Sequence, residues 1–231
     1  MPDFLVSAYQ HFGLQYPRFY KMDNLSKLGW LANEVLLQGG FEKERYKPEK
    51  IGIVLSNANS SLDTDARYYE TVKSIPSPAL FVYTLPNIVI GEISIRHHFK
   101  GENAFFIFEQ FDAGFIEQYV DGLVNNDILH CCICGWVEVL EEEYKAALFL
   151  VEKEKSRDSV IFTKENLNKI LAAIKTIEES YRTLDLYFLN RKTSTSGSVT
   201  IMNTSLEQLN DLDDPMFLEA VDEELKNNYF R

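Results

Sequence analysis

Apolar residues along the chain fall into two kinds of run, some spaced by three and four positions and others continuous over five or more. The first kind predicts helices. Leu25, Leu28, Leu31, Ala32, Val35 and Leu36 form one such stripe, with Asp23 or Asn24 to cap its start and Gly39-Gly40 to end it in a left-handed turn. Phe115, Ile116, Tyr119, Val120, Leu123 and Val124 form a second, ending at Asn125-Asn126. Leu167, Ile170, Leu171, Ile174 and Ile177 form a third behind a capping Thr163. The continuous runs predict strands. Residues 51–55 are β-branched throughout apart from Gly52 and Leu55, as in a strand buried on both faces. Residues 104–108, 128–137, 146–151 and 184–189 read the same way, and residues 5–9 read as a short opening strand. Residues 88–95 stay open: their β-branched side chains favour a strand, whereas Asn87 after Pro86 suits a helix cap.

Polar and Pro-containing stretches divide these runs. Tyr16, Pro17, Phe19 and Tyr20 read as a packed loop, residues 57–63 as a polar loop, and Pro76 and Pro78 as a break. Residues 193–198 are a Ser/Thr/Gly surface loop. Strands that are apolar throughout, alternating with helices, predict an α/β fold of layered type, a central mixed sheet flanked by helices.

Composition narrows the function classes. The chain has 231 residues, 23 basic against 35 acidic, and a formal charge of −12. That balance argues against nucleic acid and anionic membrane as partners, which need clustered Lys and Arg. Half of the net charge lies from Asn203 onward, where eight acids face two bases. Phe217, Leu218, Val221 and Leu225 make that tail an acidic amphipathic helix packed on the main body. The N-terminus shows neither a basic region nor a long apolar one, and no run approaches the roughly 20 apolar residues of a membrane span. A soluble, cytoplasmic protein is expected.

Candidate chemistry is sparse. His130-Cys131-Cys132-Ile133-Cys134 invites a metal, yet no second ligand pair accompanies it. Alternation along a strand puts Cys132 and Cys134 on one face and Cys131 on the other, which fits core packing. His97-His98 ends an apolar segment with no acid or nucleophile placed by sequence beside it, so it reads as a capping or surface pair. His11 and His130 have weaker claims. No phosphate-binding glycine loop, nucleophile elbow or His-Glu-x-x-His is present, so neither a cofactor nor a metal site is expected.

Several segments taken in order resemble the N-terminal half of the β-ketoacyl-ACP synthases, members of the thiolase-like superfamily. Lys21-Met22-Asp23 is similar to the stretch before the family's early helix, and Ile51-Gly52-Ile53-Val54 to its following strand. Ser77-Pro78-Ala79-Leu80-Phe81 with Thr84-Leu85-Pro86-Asn87 resembles the segment whose Asn begins a helix, here residues 88–98. Phe99-Lys100-Gly101 resembles the step before the strand that leads to the nucleophile. Residues 127–137 and 146–152 resemble the last core strands of that half. The resemblance covers about residues 4–153 and implies a thiolase-like half-fold, with residues 154–231 a helix–strand remnant and the acidic tail.

The departures from the family pattern carry the functional expectation. The nucleophilic Cys of catalytic members aligns, through Ala113-Gly114, with Phe111, and Asp112 stands beside it. Residues 184–189 with Lys192-Thr193-Ser194-Thr195 resemble a remnant of the strand and loop that carry the first catalytic His, but no His follows His130. The resemblance therefore implies a non-catalytic ketosynthase-like subunit of fatty-acid or aryl-polyene-like polyketide biosynthesis, similar in kind to a chain-length factor. Its partner would be a ketosynthase-type protein or its own copy through residues 104–108, whose three Phe are more aromatic surface than a lone sheet edge should expose; the alternative is simple core burial of the same side chains. Acyl carrier protein would dock through that partner. The alternatives are an acyl-thioester enzyme using Asp112 or His98, and a homodimeric relic without catalysis.

Overall fold

The computed structural model describes residues 2–38, 41–154, 160–180 and 186–188. Gly39-Gly40, the 193–198 loop and the acidic tail lie outside them. In chain order the elements are α1 (Pro2–His11), α2 (Asn24–Gln38), β1 (Ile51–Asn57), α3 (Leu62–Val72), α4 (Pro78–Phe81), α5 (Ile88–His97), β2 (Asn103–Ile107), α6 (Ala113–Asn125), β3 (Cys131–Leu140), β4 (Glu143–Glu152), α7 (Lys164–Ser180) and β5 (Leu186–Phe188).

One sheet of order β2-β1-β3-β4-β5 runs through the molecule. β1 pairs in parallel with both β2 and β3, β3 and β4 form an antiparallel pair, and β4 runs parallel to β5. The four strands expected over residues 51–55, 104–108, 128–137 and 146–151 thus share a sheet. β3 begins three residues late, because Asp127 adopts a left-handed conformation (φ 57°) that turns the chain out of α6.

The two faces of this mixed sheet are covered by different helices. Ile51, Ile53 and Leu55 of β1 and Cys131, Ile133, Val137 and Val139 of β3 pack with the buried residues of α1, α2 and α5. Val54, Cys132, Cys134 and Phe149 pack with those of α6 and α7. The cysteines split between the faces as strand alternation requires. α2 is buried from Asn24 to Leu36 at every position except Lys27, which places it in the middle of its layer. Its start is capped by Asp23, whose Oδ1 accepts the Ser26 N–H at 2.9 Å. Thr163 caps α7 in the same way through Asn166.

Two expectations need correction. Residues 5–9 form a helix within α1, not a strand. Leu5 and Tyr9, one helical turn apart, are its buried positions, and Tyr9 stacks on Phe19 with centroids 4.3 Å apart. Side-chain packing at helical spacing has overridden the β-favouring local composition. Residues 88–97 are helical as the family resemblance implies, with Val89, Ile90 and Ile93 buried, yet the Asn87 side chain makes no cap bond. At β2 the alternative of core burial holds. Phe105, Phe106 and Phe108 are half-buried, not displayed: Phe105 packs on one core, while Phe106 and Phe108 pack on Phe115 of α6. Ile107 is the exposed apolar residue of this edge strand.

Candidate functional site

The carboxyl ends of the parallel strands β1 and β2 meet the start of α6, where a ligand site in an open α/β sheet is expected. β1 ends in Ser56 and Asn57, both fully buried. Ser56 Oγ donates to the Gly135 carbonyl at 3.2 Å, and Asn57 closes a turn on Ser60, accepting its N–H at 2.9 Å and donating to its carbonyl at 2.8 Å. The Asn57 carbonyl accepts Phe108 N–H at 2.9 Å, tying the end of β2 to the end of β1.

The chain then crosses residues 109–111 into α6. Phe111 is half-buried, with its ring centroid 6.4 Å from that of Trp136 and 6.1 Å from that of Phe149. Asp112 is the N-cap of α6: Oδ1 accepts the Phe115 N–H at 2.9 Å. One of the orphan donors at the helix start is therefore occupied by the chain's own carboxylate. The aromatic cluster of Phe111, Trp136 and Phe149 fills the space between this turn and the sheet. Gly135, beside Trp136, permits the close approach of β3 to β4, since its φ of +151° and a neighbouring Ala147 carbonyl 2.0 Å from where a Cβ would sit exclude any side chain.

Glu138, two residues after Trp136 on the same strand face, was invisible to sequence reasoning. Its Oε2 accepts the Ala58 N–H at 2.6 Å, while Oε1 is buried with no hydrogen-bond partner among the described residues. The only sequence signal was an acid at an alternating position of an otherwise apolar strand. No histidine or cysteine stands among these residues. Cys131, Cys132 and Cys134 are fully buried in β3, and burial pushes each thiol above its ordinary value, which disfavours the thiolate needed of a nucleophile or metal ligand.

The remaining histidines lie elsewhere. His98, in left-handed conformation, caps the carboxyl end of α5. It precedes β2 whereas Asp112 follows it, and a five-residue strand spans roughly 17 Å, so the two cannot act on one atom. His97 is more than a surface residue: Nε2 lies 2.5 Å from Oε1 of the buried Glu34 on α2, and its ring stacks on Phe99. Glu34 is the acid that sequence spacing could not place, 63 positions away. His130 meets Asp127 at 2.9 Å before β3, and Lys153 meets the same carboxylate oxygen at 2.5 Å. Lys153, His130 and Lys50 hold the Asp127 carboxyl well below the usual carboxylate range. No group of three or more metal-ligating side chains occurs among the described residues, and among them no helix is long and apolar enough to cross a membrane.

Comparison with solved structures places this architecture. The ishigamide ketosynthase/chain length factor superposes with a TM-score of 0.50 at 18% identity, over 67% of this chain and 49% of that one. The likeness is one of fold: a mixed sheet flanked by helices. Two further complexes match more loosely. A type II PKS acyl-carrier protein in complex with its ketosynthase bound to the hexaketide (AntDE:AntF) has 20% identity, coverage of 56% and 39%, and a TM-score of 0.45. The ketosynthase ApeO in complex with its chain length factor ApeC from Xenorhabdus doucetiae has 15% identity, coverage of 55% and 51%, and a TM-score of 0.41. The chain spans about half the length of these proteins or less. No curated protein matches the chain. The family model for the central domain of the type VI secretion proteins TssC/VipB matches residues 169–231, of which residues 169–180 and 186–188 are described.

Proposed function

We propose that this chain is a non-catalytic, ketosynthase-like subunit that pairs with a ketosynthase-type protein, a complete ketosynthase or its own copy, in fatty-acid or aryl-polyene-like polyketide biosynthesis. The observation that carries the reading is Phe111. It stands directly before the capped start of α6, at the position that the sequence resemblance aligns with the nucleophilic Cys of catalytic relatives. A phenyl ring accepts no acyl group, and the carboxylate of Asp112 already occupies a helix-terminal donor that would otherwise lower a thiol's pKa. Among the described residues no replacement stands at this end of the sheet: Ser56 and Asn57 are buried and engaged in backbone bonds, and the cysteines are sealed in the strand below.

In this reading Phe111, wedged against Trp136 and Phe149, closes or shapes the end of an acyl tunnel contributed by the partner. Any docking of an acidic acyl carrier protein falls to that partner, since a chain at −12 repels it. The test is reconstitution. A complete ketosynthase from the same gene neighbourhood should co-elute with this chain, and its products from acyl and malonyl carriers should change in length when Phe111→Ala replaces the wild type. A chain that binds no ketosynthase, forms no dimer and leaves the product distribution unchanged contradicts the proposal.

A further inference from the structure

α3 turns an apolar stripe outward. Leu62, Ala66, Tyr69 and Val72, spaced by four and three residues, share one face of the helix and are all exposed, Tyr69 by 65%. The packed face is another one: Thr64 donates to Asp23 Oδ2 at 2.6 Å, and the ring of Tyr68 meets that of Phe81 at 5.5 Å. A helix ordinarily buries a stripe of this kind.

The charges beside the stripe say what covers it. The acids of α3 are engaged locally. Asp63 accepts from Asn24 and from the Glu141 N–H, Asp65 accepts from Ser61 Oγ, and Glu70 pairs with Lys73. Two cations are left poorly matched. Arg67 reaches Asp63 only at 3.9 Å. Lys27 of α2 makes neither a hydrogen bond nor an ion pair among the described residues, and its ammonium lies over the Phe19 ring. Asp23, the acid one turn before it, is turned to Ser26 and Thr64. Burial and the nearby Arg67 guanidinium push the Lys27 pKa down. Two cations held together in a chain of −12 call for an anionic neighbour.

One segment of this chain has the matching pattern. Residues 214–225 lie outside the described residues. Their sequence sets Phe217, Leu218, Val221 and Leu225 at helical spacing behind Asp214-Pro215, with five acids and no base. Reach is ample. The last described residue is Phe188 on β5, and residues 189–216 separate it from Phe217. Extended, that length of chain spans up to roughly 90 Å, against about 19 Å across a five-stranded sheet. A tethered segment also meets α3 at an effective concentration that a free acidic partner lacks.

We infer that the acidic segment of residues 214–225 docks on α3, its apolar stripe against Leu62, Ala66, Tyr69 and Val72 and its carboxylates beside Lys27 and Arg67. The tail is then an intramolecular cover for this face. The inference does not depend on the loss of catalysis.

Carbodiimide cross-linking of the full chain at low micromolar concentration tests it, read by peptide mass spectrometry of the monomer band, with amide exchange of residues 62–72 alongside. Lys27 is expected to join an acid of residues 219–224 within one chain. The double variant Phe217→Glu/Val221→Glu should speed exchange of residues 62–72 about tenfold or more, equally at low and high protein concentration. Ile128→Glu, an exposed apolar control on another part of the surface, should leave that exchange unchanged. The cross-link is read on the wild type, so it stands even if the double variant folds poorly. Exchange indifferent to the double variant, or a Lys27 cross-link formed only between two chains, overturns the inference. Protection of residues 62–72 that grows with concentration, the sign of a second copy, or that needs another protein also overturns it.

Discussion

Asp112 accepts the Phe115 N–H at 2.9 Å, so the first turn of α6 is closed by the residue next to Phe111. The cap is exposed, and its contribution is that of an ordinary helix N-cap. Asp112→Ala should lower stability by about 1 kcal/mol, and Asp112→Asn by much less, because the amide oxygen still accepts the bond. Urea unfolding of the two variants separates the cap from any catalytic role, which would respond to the loss of the charge.

The pair formed by Glu34 and His97 joins α2 to α5 across a buried boundary. Removing the imidazole leaves a buried carboxylate with Arg96 Nε 3.8 Å from its Oε2. His97→Leu should therefore cost about 2 kcal/mol or more, while the double change His97→Leu/Glu34→Leu recovers part of the loss. A double variant less stable than the sum of the two singles would show that the pair is not what links these helices.

Asp127 draws Lys153, His130 and Lys50 together before β1 and β3 and after β4. Its carboxyl titrates lower in the folded chain than in the unfolded one. The stability it contributes is thus fully present above the unfolded value near about 3.9 and fades as pH falls through the folded value. Asp127→Asn should be less stable than the wild type at neutral pH, and the two curves should converge in acid. Unfolding midpoints measured from pH 7 down to strongly acid solution check this, and parallel curves would refute it.

Gly135 is a strand position where the fold tolerates no side chain. Gly135→Ala would push a methyl into the Ala147 carbonyl of β4 at a backbone angle that L-residues avoid. A loss of about 2 kcal/mol or more is expected, together with a change in Trp136 fluorescence as the adjoining indole shifts. Unaltered stability would mean that the β3–β4 pairing is looser than described.

Much of this architecture was legible because the sheet is buried on both faces. Residues 51–55 and 131–137 carry apolar side chains to two cores, and such runs announce themselves without any knowledge of their neighbours. The caps at Asp23 and Thr163 were legible for a different reason, since capping is local chemistry. Where the decisive contact lies far along the chain, the reading failed. Residues 5–9 look like a strand until Tyr9 finds Phe19 and Trp30. The Phe residues of β2 look exposed until α6 supplies Phe115 and Tyr119 to cover them. Glu34 and His97 belong to separate helices, and Glu138 gains its meaning only from the Ala58 N–H donated by another loop. The alignment of Phe111 with a nucleophile rests on the order of segments in the family resemblance, and no periodicity could have supplied it.

The central claim is that the chain, though folded like part of a ketosynthase, forms no acyl-enzyme and no carbon–carbon bond by itself. The most direct measurement is transfer of a radiolabelled acyl group from its carrier thioester to the purified chain, followed by addition of malonyl carrier. Wild type and Phe111→Cys should both yield no condensed product, since a thiol restored beside the Asp112 carboxylate still lacks the family's two histidines. Covalent labelling of the wild-type chain, followed by a β-keto product with no partner added, would contradict the account.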